Sequence, residues 1–413
     1  MNQGGKFYKK TLLDVPLAGK TVLVRADYNV PLTKSGKISD DFRIRASLPT
    51  IQKLIDEKCR IVIISHLGRP DGKRDEKYTL EPAAARLAKL LGRDVRFIDE
   101  CVGHKVYMAM KRAPKSSITV LENLRFHPEE EANDSDFARQ LAKQTHADYF
   151  VQDGFGVVHR AHASTSAITA YLPSVAGLLL EREVSTINHA MKDPTRPLVA
   201  VLGGAKVSDK IPIIKALVPI ADKILIGGAM ANAFLAYHGC NMGKSKVEAD
   251  MKQTIDEVYD IIASKVGHEG ARDFLILPED LGVSTSLENT ATRRDVTVRG
   301  VESADYALDI GPKSISRFIK EVTLAKTVIW NGTLGMCEVP AFKAGSVALA
   351  ELLSGQNAPD SIIGGGDTTD FVLGWDPNDG DSFPYISTGG GASLELMSGL
   401  TLPGIECLLP GKK

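Results

Sequence analysis

The sequence predicts an α/β protein built from two doubly wound parallel sheets, one in each of two domains joined by a single helix. Three observations predict it. The chain has 413 residues, more than one hydrophobic core ordinarily organises. Short apolar runs alternate along its whole length with helical stretches, and continuous runs of this kind suit strands covered on both faces. Finally, Leu178 to Pro197 (LLLEREVSTINHAMKDPTRP) carries Leu180, Val184, Ile187 and Met191 at helical spacing and is stopped by DPTRP.

The elements follow in order. TVLVRADYN from Thr21, RIVIISH from Arg60, SITVLEN from Ser117 and DYFVQDG from Asp148 each read as a β-branched strand running into polar residues. Between them EPAAARLAKLLG reads as a helix with Pro82 near its start and Gly92 at its end, and SDFARQLAKQTH as another with Ser135 as N-cap. Beyond the linking helix come PLVAVLGG from Pro197, KILIGGA from Lys223, DFLILPED from Asp273, KTVIWNG from Lys326 and DSIIGGG from Asp360. Four strands are thus expected before about residue 155 and five after 197.

Apolar residues make up 43% and charged residues 24%, which fits a soluble globular protein. A formal net charge of −1 gives no global field for nucleic acid or membrane, so attraction for an anion has to be local. Cys59, Cys101, Cys240, Cys337 and Cys407 are scattered without a CxxC pair, as expected of reduced thiols in a cytoplasmic protein. The opening MNQGGKFYKKTLLDVPLAG has no apolar h-region, so no signal peptide is expected, and no apolar run approaches a membrane span. HGCNMGKS (His238 to Ser245) has His238 where a P-loop needs glycine and follows a helix-like run; GFGVVH (Gly154 to His159) is half a dinucleotide fingerprint. No HEXXH or Cys/His cluster points to a protein-held metal.

In open α/β sheets ligands bind beyond the carboxyl ends of the strands. In the first half those ends carry Asp27 and Asn29, then His66 and Arg69, then Arg125, then His159, Arg160 and His162, with Arg43 after a loop. Four arginines on one rim of a nearly neutral protein suit a small anion, because guanidinium forks match phosphate and carboxylate. His104 and His146 have no such placement. In the second half the ends carry Gly203, Gly204 and Lys206, Gly227 and Gly228, and Asn331, Gly332, Gly335 and Glu338. Two triple glycines follow, Gly364–Gly366 and Gly389–Gly391, each opening a helical stretch. Glycine at a helix start removes Cβ atoms and presents N–H groups carrying roughly +0.5 charge, a setting for nucleotide phosphates.

The motifs VRADYNVPL, SHLGRPDG, ENLRFHPEEE, HRAHAS, LGGAKVSDKI, IWNGTLGMCE, IIGGGDT and STGGGASLELM occur in an order and spacing that resemble phosphoglycerate kinases from end to end. The resemblance implies two Rossmann-like domains joined by a hinge helix. The first, 1–183, would bind 3-phosphoglycerate and be joined by the tail 395–413; the second, 184–394, would bind nucleotide. It implies a substrate site of Asp27, Tyr28, Asn29, Arg43, His66, Leu67, Gly68, Arg69, Arg125 and Arg160. It implies a nucleotide site of Lys206, Lys210, Gly311, Asn331, Glu338 at the ribose, Gly365, Gly366, Asp367 and Thr368, with Asp367 the carboxylate partner of Mg2+. Arg43, Lys206, Gly365 and Gly390 would carry catalysis. The partners implied are ATP or ADP and 3-phosphoglycerate or 1,3-bisphosphoglycerate, with no nucleic acid, no membrane and a monomeric state.

The chain departs from the family's usual residues at Gln152, Gly154, Thr333, Cys337 and Thr369, none of which removes a charge from either site; Thr333 lies closest to the nucleotide. The reaction moves a phosphoryl group onto a carboxylate, so it needs positioning and charge neutralisation rather than a general base. Two half-sites on separate domains imply closure by hinge motion. A non-catalytic nucleotide-binding module of the same fold would lack the rim arginines. A nicotinamide-dependent dehydrogenase would carry GxGxxG at the first strand turn, with an acidic residue about 20 positions on.

Overall fold

The computed structural model describes residues 7–288 and 290–411. They form two compact units: one runs to Thr186 and is rejoined by the chain from Thr401, and the other is Ile187–Leu400. The helix Leu178–Lys192 carries the chain from the first unit into the second. Leu180, Val184 and Ile187 on it are fully buried, while Met191 is only half-buried and Ala190 takes the inward position.

The first unit has six parallel strands: β1 (Thr21–Arg25), β2 (Arg60–Ile64), β3 (Val95–Ile98), β4 (Ile118–Leu121), β5 (Tyr149–Gln152) and β6 (Ser174–Ala176). Their order is β3-β4-β2-β1-β5-β6. Alternate residues face opposite layers. Val22, Val24, Ile61 and Ile63 enter one core, whereas Leu23, Val62 and Ile64 enter another. This is the physical content of a doubly wound sheet: both faces are covered by helices, so the strands are apolar throughout. Two strands exceed the four read from sequence. β3 is VRFI with only Ile98 buried, and β6 is three residues, both too weakly patterned to register. The helix Glu81–Leu91 ends on Gly92 in the left-handed region (φ 60°), as expected. At the helix Ser135–Gln144 the cap is Asp134 rather than Ser135; Asp134 Oδ1 accepts from Phe137 N at 2.7 Å. Its carboxylate is the better partner for the helix dipole.

The second unit has a parallel sheet of β7 (Leu198–Leu202), β8 (Lys223–Ile226), β9 (Leu275–Ile276), β13 (Thr327–Asn331) and β14 (Asp360–Gly364), ordered β14-β13-β7-β8-β9. A separate antiparallel sheet, β11-β10-β12, comprises β10 (Asp280–Ser284), β11 (Arg294–Thr297) and β12 (Tyr306–Ile310). The apolar stretch DFLILPED therefore does not form one strand: it yields the two-residue β9 and then turns into β10. The antiparallel sheet was not foreseen because β11, RDVT, has no buried residue.

Residues 401–411 are stitched into the first unit. Gly404 N donates to Val158 O (2.9 Å), Leu409 N to Ser174 O (2.9 Å) and Lys10 N to Leu409 O (2.8 Å). Leu402, Ile405 and Leu408 are buried there. Each such side chain contributes about 1.5–3 kcal/mol. Deleting 401–413 should therefore lower the first unit's unfolding free energy by about 5 kcal/mol or more; urea denaturation measures this, and an unmoved transition would contradict it.

Candidate active site

The rim of the first unit lies at the carboxyl ends of β4, β2, β1 and β5, four strands adjacent in the sheet. Adjacency is what gathers residues 27 to 162 in one place. Arg43, second in the helix Phe42–Asp56, donates through Nη1 to Asp27 Oδ2 and to Asn29 O, both at 3.1 Å. Asn29 Oδ1 accepts from Gly68 N at 2.8 Å, and Arg125 Nη1 donates to Gly68 O at 2.8 Å. Gly68 is at φ +62°, and a Cβ there would fall on the Tyr78 ring. Arg125 also pairs with Glu131 (3.0 Å), Arg160 Nε donates to His159 Nε2 (3.1 Å), and Arg69 is exposed. Tyr28 and Leu67 turn their side chains into the core, with the Tyr28 hydroxyl 3.0 Å from Ser47 Oγ. They can offer a ligand only backbone.

Behind the rim lies a fully buried set that sequence reading missed. Arg25 Nε donates to Ser164 Oγ (2.7 Å), Ser164 Oγ and N donate to Glu130 (2.6 and 3.0 Å), and Arg25 Nη2 lies 3.9 Å from Glu130 Oε1. The only sequence signal was a charged residue, Arg25, inside an apolar strand. Arg25 Nη2 also reaches His66 Nδ1 (3.4 Å). A guanidinium only donates, so Nδ1 accepts and the ring proton sits on Nε2. Burial, then Arg25, Arg125 and Arg43, hold His66 well below its ordinary pKa. Burial, then Arg25, Arg125 and Arg160, push His162 down to about 4. The rim's positive charge at neutral pH thus comes from arginine, with both histidines neutral and His66 an acceptor.

In the second unit the glycines divide into two kinds. At Gly203, Gly228 and Gly332 an added Cβ would strike the protein's own backbone, around Thr333 O and Gly204. They let the loops after β7, β8 and β13 pack, which revises the expectation that the whole glycine face awaits a ligand. Gly311 caps the helix Pro312–Thr323 against the Asp280 carboxylate and does not line the cavity described below. Gly366 and Gly390 differ: a Cβ at either meets nothing within 4 Å. The helices Gly366–Trp375 and Gly391–Met397 start there, capped by Gly365 (φ 98°) and Gly390 (φ 48°). Thr368 is used internally, its Oγ1 accepting from Gly332 N at 2.6 Å. Lys210 Nζ donates to the main-chain and side-chain oxygens of Asn331, whose buried Nδ2 has no partner among the described residues. Burial lowers the Lys210 pKa to about 8, opposed by Asp367 and Asp209. Lys206 is exposed on the loop after β7.

A cavity of about 400 Å³ opens beside these groups, walled by Ala205, Ala229, Tyr306, Leu308 and Met336, with Glu338 and Asp367 at its polar side. Its apolar wall was not read from sequence, since β12 was not recognised. Lys244 and Lys246 also line it. Lys244 belongs to the stretch that imitates a P-loop and Lys246 follows it; Lys244 N donates to Asp305 O at 2.7 Å. Among the described residues no group of three or more His, Cys, Asp or Glu is placed to hold a metal ion, and no helix is long and apolar enough to cross a membrane.

The phosphoglycerate kinase family profile matches residues 12–400. Phosphoglycerate kinase of Moorella thermoacetica is 45% identical over 402 residues, 97% of this chain and 99% of that one. The enzyme of Gloeothece citriformis is 45% identical over 407 residues, again 97% and 99%. The solved structure of phosphoglycerate kinase from Coxiella burnetii superposes with a TM-score of 0.81 at 36% identity, covering 97% of this chain and 98% of that one.

The rim histidines make stability depend on pH. His162 is neutral when folded but takes a proton near 6.5 when unfolded, so its contribution is intact above 6.5 and lost as pH falls toward about 4. His66 acts in the same direction. Between pH 6.5 and 5 His162 should remove about 1 kcal/mol per pH unit from the unfolding free energy, and His66 adds a loss of the same sign. Urea denaturation across that range should show the loss, and His162→Gln should flatten it; an equal slope in the variant would contradict the assignment.

Proposed function

This chain belongs to the phosphoglycerate kinase family, and from that premise we propose which of its residues carry the phosphoryl transfer between ATP and 3-phosphoglycerate. The chain is an enzyme, and the reaction joins the phosphoryl group to the carboxylate of 3-phosphoglycerate, giving 1,3-bisphosphoglycerate and ADP reversibly. The observation that carries the residue assignment is the division of labour between the units. One gathers arginines on the rim formed by adjacent strand ends, and the other holds two open glycine helix starts, one leading into Asp367, with Lys210 on Asn331 and Lys206 exposed on the loop after β7.

The acceptor carboxylate has an ordinary pKa of about 3.5 and arrives ionised. No proton has to be removed, and the residues' task is to hold two anions together and offset their charge. Arg125, Arg160 and Arg69 bind the phosphate end of 3-phosphoglycerate. Arg43, steadied by Asp27 and Asn29, holds the carboxyl end and the moving group. The cavity lined by Ala205, Leu308 and Met336 takes the adenine, and Glu338 the ribose hydroxyls. The amides of Gly366 and Gly391, the spare Asn331 Nδ2, Lys206 and Lys210 face the phosphates, where aligned donors stabilise developing charge most. Asp367 as a single carboxylate suits Mg2+ arriving on the nucleotide, since this ion keeps several waters and is held by one or two carboxylates plus phosphates. Bound there, it would neutralise charge on the nucleotide oxygens. Transfer also requires both substrates within bonding reach and water excluded; we assign this to closure about the helix Leu178–Lys192. We further propose that the protein acts as a cytoplasmic monomer.

A coupled assay should show ATP consumption that depends on 3-phosphoglycerate. Arg43→Ala should lower kcat by about 10²- to 10³-fold with the KM for ATP changed only a few-fold, because its partner is the reacting group. Lys206→Ala should lower kcat by about 10²-fold. Normal turnover in either variant would remove that residue from the mechanism. Small-angle scattering curves of the free and doubly liganded protein should differ; superimposable curves would contradict closure.

A further inference from the structure

A second cavity, of about 440 Å³, adjoins the nucleotide cavity and shares Thr333, Glu338 and Asp367 with it. Its remaining wall is made by Cys337, Phe371, Gly374 and Trp375, with Lys343 and Asp370 at the polar side. Phe371 and Trp375 lie one turn apart on the helix Gly366–Trp375, and both stay partly exposed. Phe371 meets Trp330 edge-on (6.2 Å), Trp375 meets Phe383 at a tilt (6.1 Å), and both rings line this space. Gly374 stands between them. Glycine weakens a helix, yet an added Cβ here meets nothing within 4 Å. No neighbour in the protein requires that glycine, and the side chain it lacks would fill the cavity.

We infer that this cavity is a subsite for a flat aromatic group carried on the ribose 2′- or 3′-oxygen of the bound nucleotide. The inference rests on the assignment of Glu338 to the ribose. The shared wall makes the ribose edge the point of entry, and the two rings supply an offset-stacking surface for one more ring. Small side chains at Thr333, Cys337 and Gly374 leave the room. A free nucleotide leaves the subsite empty; one bearing a ribose-linked aromatic group fills both cavities at once.

The probe is 2′/3′-O-(N-methylanthraniloyl)-ADP, set against ADP by titration calorimetry. Fluorescence gives a second readout, since Trp375 borders the cavity and Trp375→Phe separates its signal from that of the chain's other tryptophan, Trp330 in β13. The native protein should bind the probe about tenfold more tightly than ADP, a gain of about 1.4 kcal/mol, with energy transfer from Trp375 to the probe. Gly374→Leu should abolish that advantage while leaving the ADP affinity within about twofold, and Cys337→Phe should do the same from the opposite wall. Equal affinity of the native protein for probe and ADP would overturn the subsite. So would variants that weaken both ligands alike. Absence of ADP binding by the native protein would instead reject the nucleotide assignment and the subsite with it.

Discussion

Crowding guanidinium groups onto one rim is unfavourable unless something behind them supplies negative charge, and this protein buries that charge. Arg25, Ser164 and Glu130 form a closed set with Arg25 and Glu130 almost wholly excluded from water. Glu130 is held by two hydrogen bonds from Ser164 and by the nearby Arg25, which offset a desolvation that raises its pKa. Arg25 in turn fixes His66 as a neutral acceptor, and Asp27 fixes Arg43. Of the rim arginines, Arg43 is positioned by the buried Asp27 carboxylate and Arg125 by Glu131. Removing one buried partner would leave a charge without compensation, a loss of about 3–5 kcal/mol.

The same economy of backbone governs the second unit. β7 and β13 are neighbours in register, Asn331 beside Leu202, so the loops that follow them collide unless Gly203 and Gly332 lack side chains. That packing leaves the first turns of two helices bare at Gly366 and Gly390. Some glycines let the protein fold on itself, and others, Gly366 and Gly390 among them, face open space. Only the surroundings of each glycine separate the two uses, because in sequence all read alike.

Much of this was legible in the linear chain. Parallel-sheet strands announce themselves as apolar runs, and a polar residue just after such a run sits by geometry at the ligand-binding edge. Asp27, His66, Arg125 and Arg160 were placed at that edge in this way, whereas Asp367 came from the family resemblance. Weakly patterned elements escaped: β3, β6 and the exposed β11 bury too little to show a period. With β10–β12 unseen, the apolar wall of the cavity beside the glycine loops, Tyr306 and Leu308 above all, had no signal. The N-cap went to Asp134 rather than Ser135 because side-chain reach, not residue class, decides between adjacent candidates.

Sequence alone determined the α/β class, the linking helix, the chemical character of both half-sites and the resemblance that names the reaction. Those properties depend on local periodicity and residue chemistry, which a linear chain records. Only the tertiary structure decided which histidines stay neutral, which glycines face open space, how residues 401–411 pack onto the first unit, and where Cys337, Gly374 and Trp375 enclose a cavity. These depend on distances between residues far apart in the chain, and burial and electrostatic coupling are set by those distances.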